Sequence, residues 1–300
     1  MTTLDAARPV LLSSSLPPHA HHSPVFQSSD LSTVLLSGYP IRSVLRSQVF
    51  SAGAAAAYRS IGATSIKHIS IPWEPATATW YGSPHGAGSD GGACGYGGLA
   101  GTPYGSSITA ASLVLFRNGK GCGSCYQVRC VGSWLCSTHA VTVVVTDECP
   151  PGGYCAYGRT HFDLSGTAFG EMANYGRGSE LLNMGVMQIQ YRRVNCAYPR
   201  GVPLEFHVSP GASPYWFSIL VKYVAGPGDL GSVELLQAGS KFWQPMTQVW
   251  GVNWCHYGGP IKAPFSLRLT SLSSRRTITA YDVIPRNWYA GGVYRTNINF

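Results

Sequence analysis

Three hundred residues, 45% of them hydrophobic and only 11% charged, suit two compact domains, since one core rarely runs past about 250 residues. Gly (36), Pro (20) and Tyr (17) are abundant, which favours short strands joined by tight turns and argues against long helices. A net charge of +8 reads as solubility or as attraction to an acidic polymer. No basic run extends beyond Arg192-Arg193 and Arg275-Arg276 and no nucleic-acid motif is present, so no nucleic-acid partner is expected.

Residues 1–73 differ from the rest: their only acids are Asp5 and Asp30, Ser and Ala are frequent, and His19-Ala20-His21-His22 forms a cluster. A secretory signal needs an apolar core of about 7–15 residues, and Val34-Leu35-Leu36 and Ala54–Ala57 are too short. The acid-poor, Ser-rich composition has some likeness to an organelle transit peptide. The reading preferred is an atypical, disordered leader without a clear signal peptide. No stretch is long enough to span a membrane.

The folded part is expected to begin near Trp73. Residues 108–116, 125–131, 141–146 and 186–194 read as strands, with Val141–Thr146 and Val186–Tyr191 the clearest. Ser165 is placed to cap a short helix through Phe169 and Met172. Pro199 and Pro203 mark a linker, and 216–224, 232–237, 265–271 and 277–284 form a second strand-rich block at the spacing of a β-sandwich. The expected domains are therefore 74–199 and 204–300. The second carries eight Lys or Arg against four Asp or Glu.

Eight of nine cysteines lie between 94 and 196, the density of an oxidised, secreted disulfide scaffold. Cys122-x2-Cys125 lacks the second pair that a zinc site requires, so no metal is expected. Cys122-Gly-Ser-Cys125-Tyr126 also fits a papain-type pattern, with His256 at the right remove. Residues 125–131 alternate like a strand, however, where that nucleophile must open a helix, so a cysteine protease is disfavoured.

Three motifs in order carry the most information: Gly91-Gly92-Ala93-Cys94-Gly95-Tyr96, Gly121–Cys130 and His161-Phe162-Asp163-Leu164-Ser165. Together they resemble the first domain of plant expansins of the β-expansin kind, and through them the endoglucanases of glycoside hydrolase family 45. The resemblance covers roughly residues 74–300. It implies a mainly β protein, an N-terminal six-stranded double-psi β-barrel followed by a C-terminal immunoglobulin-like β-sandwich. It also implies disulfides Cys94–Cys122, Cys125–Cys196 and Cys130–Cys136. Cys149–Cys155 is added because both remain in the domain, with five residues between them. This last pair is extra to the three-bridge framework of many β-expansins. Cys255, where an arginine is usual, is left unpaired.

Glycoside hydrolysis normally needs two carboxyl groups. Asp163 resembles the family 45 general acid. Asp147 ends a strand where it can face a groove, and Asp90 sits in a Gly-rich loop. The region matching the family's base, Ala78–Ser83, holds no acid, a loss of roughly 10²–10⁴-fold in general-base catalysis. To restore it, an acid from another loop, such as Asp90 or Glu148, would have to reach the groove. Thr79, Trp80 and Tyr81 match residues lining the expansin sugar groove.

In the second domain, Trp216, Trp250 and Trp254 match an aromatic row that stacks on glucan, while Trp243 and Trp288 are less committed. Lys222 and Lys262 are candidates to attract acidic polymers. The implied function is wall loosening by disrupting non-covalent contacts between polysaccharides, without hydrolysis and without a cofactor. A weak endoglucanase or transglycosylase using Asp163 is the alternative, and an inactive carbohydrate-binding paralogue a minor one. The expected partners of this monomer are cellulose and glucuronoarabinoxylan or other acidic matrix glycans. It is expected in the extracellular cell wall, at the wall surface and not as an integral membrane protein.

Overall fold

The computed structural model describes residues 71–300 apart from Ser89. The expected leader, except its last three residues, and its histidine cluster lie outside the described residues. Six strands, β1 (Glu74–Tyr81), β2 (Ile108–Ala111), β3 (Cys125–Cys130), β4 (Val141–Glu148), β5 (His161–Ser165) and β6 (Val186–Val194), close into a barrel in the order β1-β5-β2-β4-β3-β6. β1 with β5 and β2 with β4 run parallel, and the other neighbours are antiparallel. The strands alternate, and the inward set that includes Ala78, Val128, Val143, Phe162, Leu164 and Ile189 is fully or almost fully buried.

The sequence reads 108–116 as one strand, but the strand stops at Ala111 and Leu113–Phe116 form a single helical turn, α1. The run is apolar throughout, so it carries no period to separate strand from helix. Ser112 makes the break, its hydroxyl accepting the His161 backbone N–H at 3.1 Å. Ser165 caps α2 (Gly166–Glu171) by accepting the Ala168 N–H at 3.1 Å, and α3 (Gly178–Met184) packs against α2.

The bridges are Cys94–Cys122, Cys125–Cys196, Cys130–Cys136 and Cys149–Cys155, with Cα separations of 5.2–6.1 Å. Cys125 thus lies in a strand and in a disulfide, which removes the protease reading. Cys255 is free and buried.

The second block is two packed sheets built from β7 (Leu204–Val208), β8 (Trp216–Lys222), β9 (Ser232–Gln237), β10 (Gln244–Pro245), β11 (Thr247–Trp250), β12 (Asn253–Tyr257), β13 (Phe265–Thr270), β14 (Thr277–Ile284) and β15 (Val293–Thr296). One sheet is β10-β9-β13-β14 and the other β11-β12-β8-β7-β15. Their inner faces share Phe206, Phe217, Ile219, Val233, Leu235, Phe265 and Leu267. Trp254 belongs to this core. It pairs with Ile219 on the inward face of its sheet and is 4% exposed, so it is not part of a sugar-binding row. Trp288 likewise packs on Phe217.

Trp254→Ala should lower stability by about 3–5 kcal/mol, read by chemical denaturation, with polysaccharide binding per folded molecule unchanged. Trp254→Phe should cost less, because the indole N–H that it removes has no hydrogen-bond partner.

Candidate functional site

Strand alternation decides which side chains of β1 face the site. Ala76 and Ala78 are buried in the barrel, so Thr77, Thr79 and Tyr81 face the other way. Trp80 falls with the alanines. It packs against the core, and its Nε1–H donates to Leu182 O in α3 at 2.9 Å, so the expected groove role of Trp80 is corrected to a packing one. Across the strands, Thr79 lies opposite Asp163, Asp163 opposite Ala110, and Ala110 opposite Asp147. The last step depends on a bulge: Thr109 pairs Val145 but Ala110 pairs Asp147, so Thr146 is an extra residue that shifts β4 by one. Both carboxylates, contributed by different strands, thereby enter one row.

The row is tightly bonded. The Thr79 hydroxyl donates to Asp163 Oδ1 at 2.6 Å, and His161 bridges Thr77 (Nδ1 to Oγ1, 2.7 Å) and Thr79 (Nε2 to Oγ1, 2.9 Å). Since Thr79 has one proton and gives it to Asp163, it accepts from His161 Nε2–H, and Nδ1 accepts the Thr77 hydroxyl. The network therefore accommodates a neutral imidazole. Burial pushes the His161 pKa down to about 4. Burial raises that of Asp163, opposed by the Thr79 hydrogen bond and reinforced by the charge of Asp147. Asp147 is pinned by the backbone N–H groups of Ala93 (2.6 Å) and Glu148 (2.8 Å), both on Oδ1. The Tyr81 hydroxyl has no hydrogen-bond partner, and burial, then Asp147 and Asp163, raise its pKa.

From Asp147 the surface continues into the sandwich. The loop that bonds Asp147 reaches Gly95, where an added Cβ would stand 2.7 Å from the Trp250 ring. On the outer face of the five-stranded sheet, Trp250, Asn253 and Leu220 form one row, Thr247, Cys255 and Ser218 the next, and Tyr257 with Trp216 the last. Four residues of strand place Trp216 about 13 Å beyond the Trp250 row. Trp250 is 55% exposed, whereas Trp216 is half-buried over Cys255. Trp250 and Trp216 thus share the outer face of this sheet, and Trp254 does not. Sequence reasoning missed Asn253, whose buried Nδ2 lacks a partner beside Gly95, and His161, which stood in its own motif.

Other candidates lie elsewhere. Asp90 is exposed near Gly98, and Glu148 follows Asp147 in β4. Lys222 is half-buried and donates to Tyr96 O at 2.8 Å, so it joins the two domains and is not free to attract a polymer. Lys262 is exposed. A separate cleft of about 550 Å3 is lined by Arg192, Arg193, Arg276, Ser273, Ser274 and Pro227 among others. Arg193 there pairs with Asp229 at 3.2 Å, but Arg192 bonds only the neutral Gln127 amide.

A family model described as expansin C-terminal domain matches residues 204–285, and one described as lytic transglycolase matches 108–191. The chain is 47% identical to Expansin-B16 of Oryza sativa subsp. japonica, over 92% of this chain and 98% of that one. It is 50% identical to Expansin-B3 of Arabidopsis thaliana, over 79% and 89%. Among solved structures it is similar in fold to an expansin of Clavibacter michiganensis in its apo form, with a TM-score of 0.56 at 20% identity over 75% and 96% of the two chains. A point mutant of that expansin in complex with cellohexaose gives 0.57 at 20% identity, over 76% and 98%.

The lowered His161 pKa has a defined effect on stability. The unfolded chain protonates this histidine near pH 6.5 and the folded chain only near 4, so its contribution is present above pH 6.5 and lost as pH falls to 4. Urea titrations from pH 7 to 4 should show about 2–3 kcal/mol less loss of stability for His161→Asn than for the parent chain, solvent screening included. Equal slopes would place the imidazole in water.

Proposed function

The chain belongs to the expansin family, among the β-expansins, and from that premise we propose that it loosens plant cell walls by separating hydrogen-bonded polysaccharides without hydrolysing them. As an expansin it is a wall-loosening, polysaccharide-binding protein. The observation that carries the mechanism is the continuous face from the Thr79–Asp163–Asp147 row to Trp250 and Trp216. The ligand proposed for it is a β-1,4-glucan, of the kind bound in the cellohexaose complex of the bacterial expansin. Trp250 and Trp216 offer ring faces to pyranose C–H groups.

Asp163 has the environment of a general acid, a carboxyl whose pKa is raised by burial and then by the charge of Asp147, against the Thr79 hydrogen bond that lowers it. The base is the weak point. Asp147 spends Oδ1 on two backbone N–H groups, which hold it in place, and Asp90 is exposed in its loop. Protonation without water activation fits a grip on a strained sugar better than turnover. Acidic matrix glycans are the proposed additional partners, drawn to the Arg192 and Arg276 cleft and to exposed Lys262. Four disulfides suit the oxidising extracellular space, where the cell wall is the proposed location.

Creep of heat-killed walls under load, with reducing ends counted in the same sample, tests the reading. The parent chain should extend walls and release no new reducing ends, and Asp163→Asn should lose the extension. Reducing ends that disappear in Asp163→Asn would establish a glycosidase. Joint replacement of Trp216 and Trp250 by Ala should lower cellulose affinity at least about tenfold while shifting Tm by no more than about 3 °C, since neither ring fills the sandwich core.

A further inference from the structure

The connection between β4 and β5 carries an aromatic side chain that stands outside the carboxylate row. Cys149 and Cys155 close it into a small ring six residues apart, with Gly153–Cys155 forming a tight turn. The base of the ring is anchored, because Cys149 N–H donates to Ala111 O at 2.9 Å and Cys155 is buried. At the tip stands Tyr154, 48% exposed, its ring within 17° of parallel to that of His161 with centroids 5.7 Å apart. His161 is itself fully buried and bonded to Thr77 and Thr79. The tyrosine is therefore fixed at both ends, by the disulfide ring and by the imidazole on which it lies.

Its place relative to the carboxylates follows from register. His161 pairs with Thr77, one inward–outward repeat before the Thr79–Asp163 pair, and Tyr81 pairs with Ser165 one repeat after it. The Asp163 row is thus bracketed by Tyr81 on one side and His161 on the other, each about 7 Å away along the strands, and Tyr154 stacks on the latter.

We propose that Tyr154 is a second sugar-contacting wall of the groove, taking the C–H face of a pyranose in a β-1,4-linked glycan seated over Asp163. The inference rests on the proposal that the groove binds such glycans. A side chain serving only to shield His161 would be covered in turn; here half the ring stands in water. The cross-linked loop also holds that ring still, so little side-chain freedom remains to be lost on binding.

Isothermal titration with cellohexaose tests it, with Tm recorded for each variant. Tyr154→Ala should weaken binding about three- to tenfold, and Tyr154→Phe, which keeps the face and drops only the hydroxyl, should stay within about twofold of the parent chain. Replacing Cys149 and Cys155 together by Ser, with Tyr154 retained, should lose part of the same affinity by freeing the loop. Unchanged affinity per folded molecule in Tyr154→Ala, accompanied by an upward shift of the His161 titration in NMR, would make the tyrosine a cover for the histidine and overturn the proposal. If the parent chain binds cellohexaose and the Trp216/Trp250 double variant does not, failure of Tyr154→Ala to weaken binding rejects this inference alone. No binding by the parent chain rejects the groove reading and this inference with it.

Discussion

Barrel and sandwich act as one surface because their backbones meet where no side chain stands between them. Gly95, at φ +85°, lies directly against the Trp250 ring, and any Cβ there would displace either the indole or the Asn253 amide. Next to it, Val252 N–H donates to the carbonyl of Cys94, which is bridged to Cys122. The barrel's core extends through this seam to include Leu220, Tyr223 and Val252 of the sandwich. Tyr96, Tyr104, Tyr198 and Tyr223 pack together across it, with Tyr104 4.5 Å from Tyr96 and 4.9 Å from Tyr223 between ring centroids. On another side Arg193 reaches from β6 to the buried carboxylate of Asp229, which also accepts from Ser271 and Ser273. An interface this apolar and this bonded resists hinge motion. A rigid seam fixes Trp250 relative to Asp147, as a glycan lying across both domains requires.

Within the barrel, one hydroxyl organises the chemistry. Thr79 donates to Asp163 and accepts from His161, so the protonation states of the two titratable groups depend on it. Burial moves their pKa values in opposite directions, and both shifts favour the neutral form. Beside them Asp147 is held in place by the backbone N–H groups of Ala93 and Glu148, so all three side chains of the row have fixed partners.

Much of this was legible in the chain. The bounds of β6, β9 and β14 fall where their apolar runs and flanking turn residues put them. The family resemblance implied three of the bridges, a short loop suggested the fourth, and Ser165 announced the cap of α2. Other features had no local signal. β5 is five residues long and runs straight into α2, so His161–Ser165 looked like the approach to a helix. The Thr146 bulge that aligns Asp147 with Asp163 is a property of two paired strands and cannot be read from one of them. β7, β11, β12 and β15 are at most five residues each. The tryptophans show the limit most clearly. Trp80 and Trp254 were placed with their neighbours on the binding face, but facing depends on strand parity, and an error of one residue reverses it.

Parity also accounts for the odd thiol. Cys255 stands on the outer face of the sheet, in the row between Trp250 and Trp216, where a long basic side chain would ordinarily reach solvent. Instead it is fully covered by Trp216 and Tyr257, and burial raises its pKa, which leaves it a small apolar filler and a poor nucleophile. The consequence is mechanical. With no long chain rising between them, Trp216 settles over the sulfur and is half-buried, while Trp250 at the seam remains open. The two tryptophans therefore stand at different heights: Trp250, beside the loop that bonds Asp147, is open, and Trp216 lies lower over the sulfur.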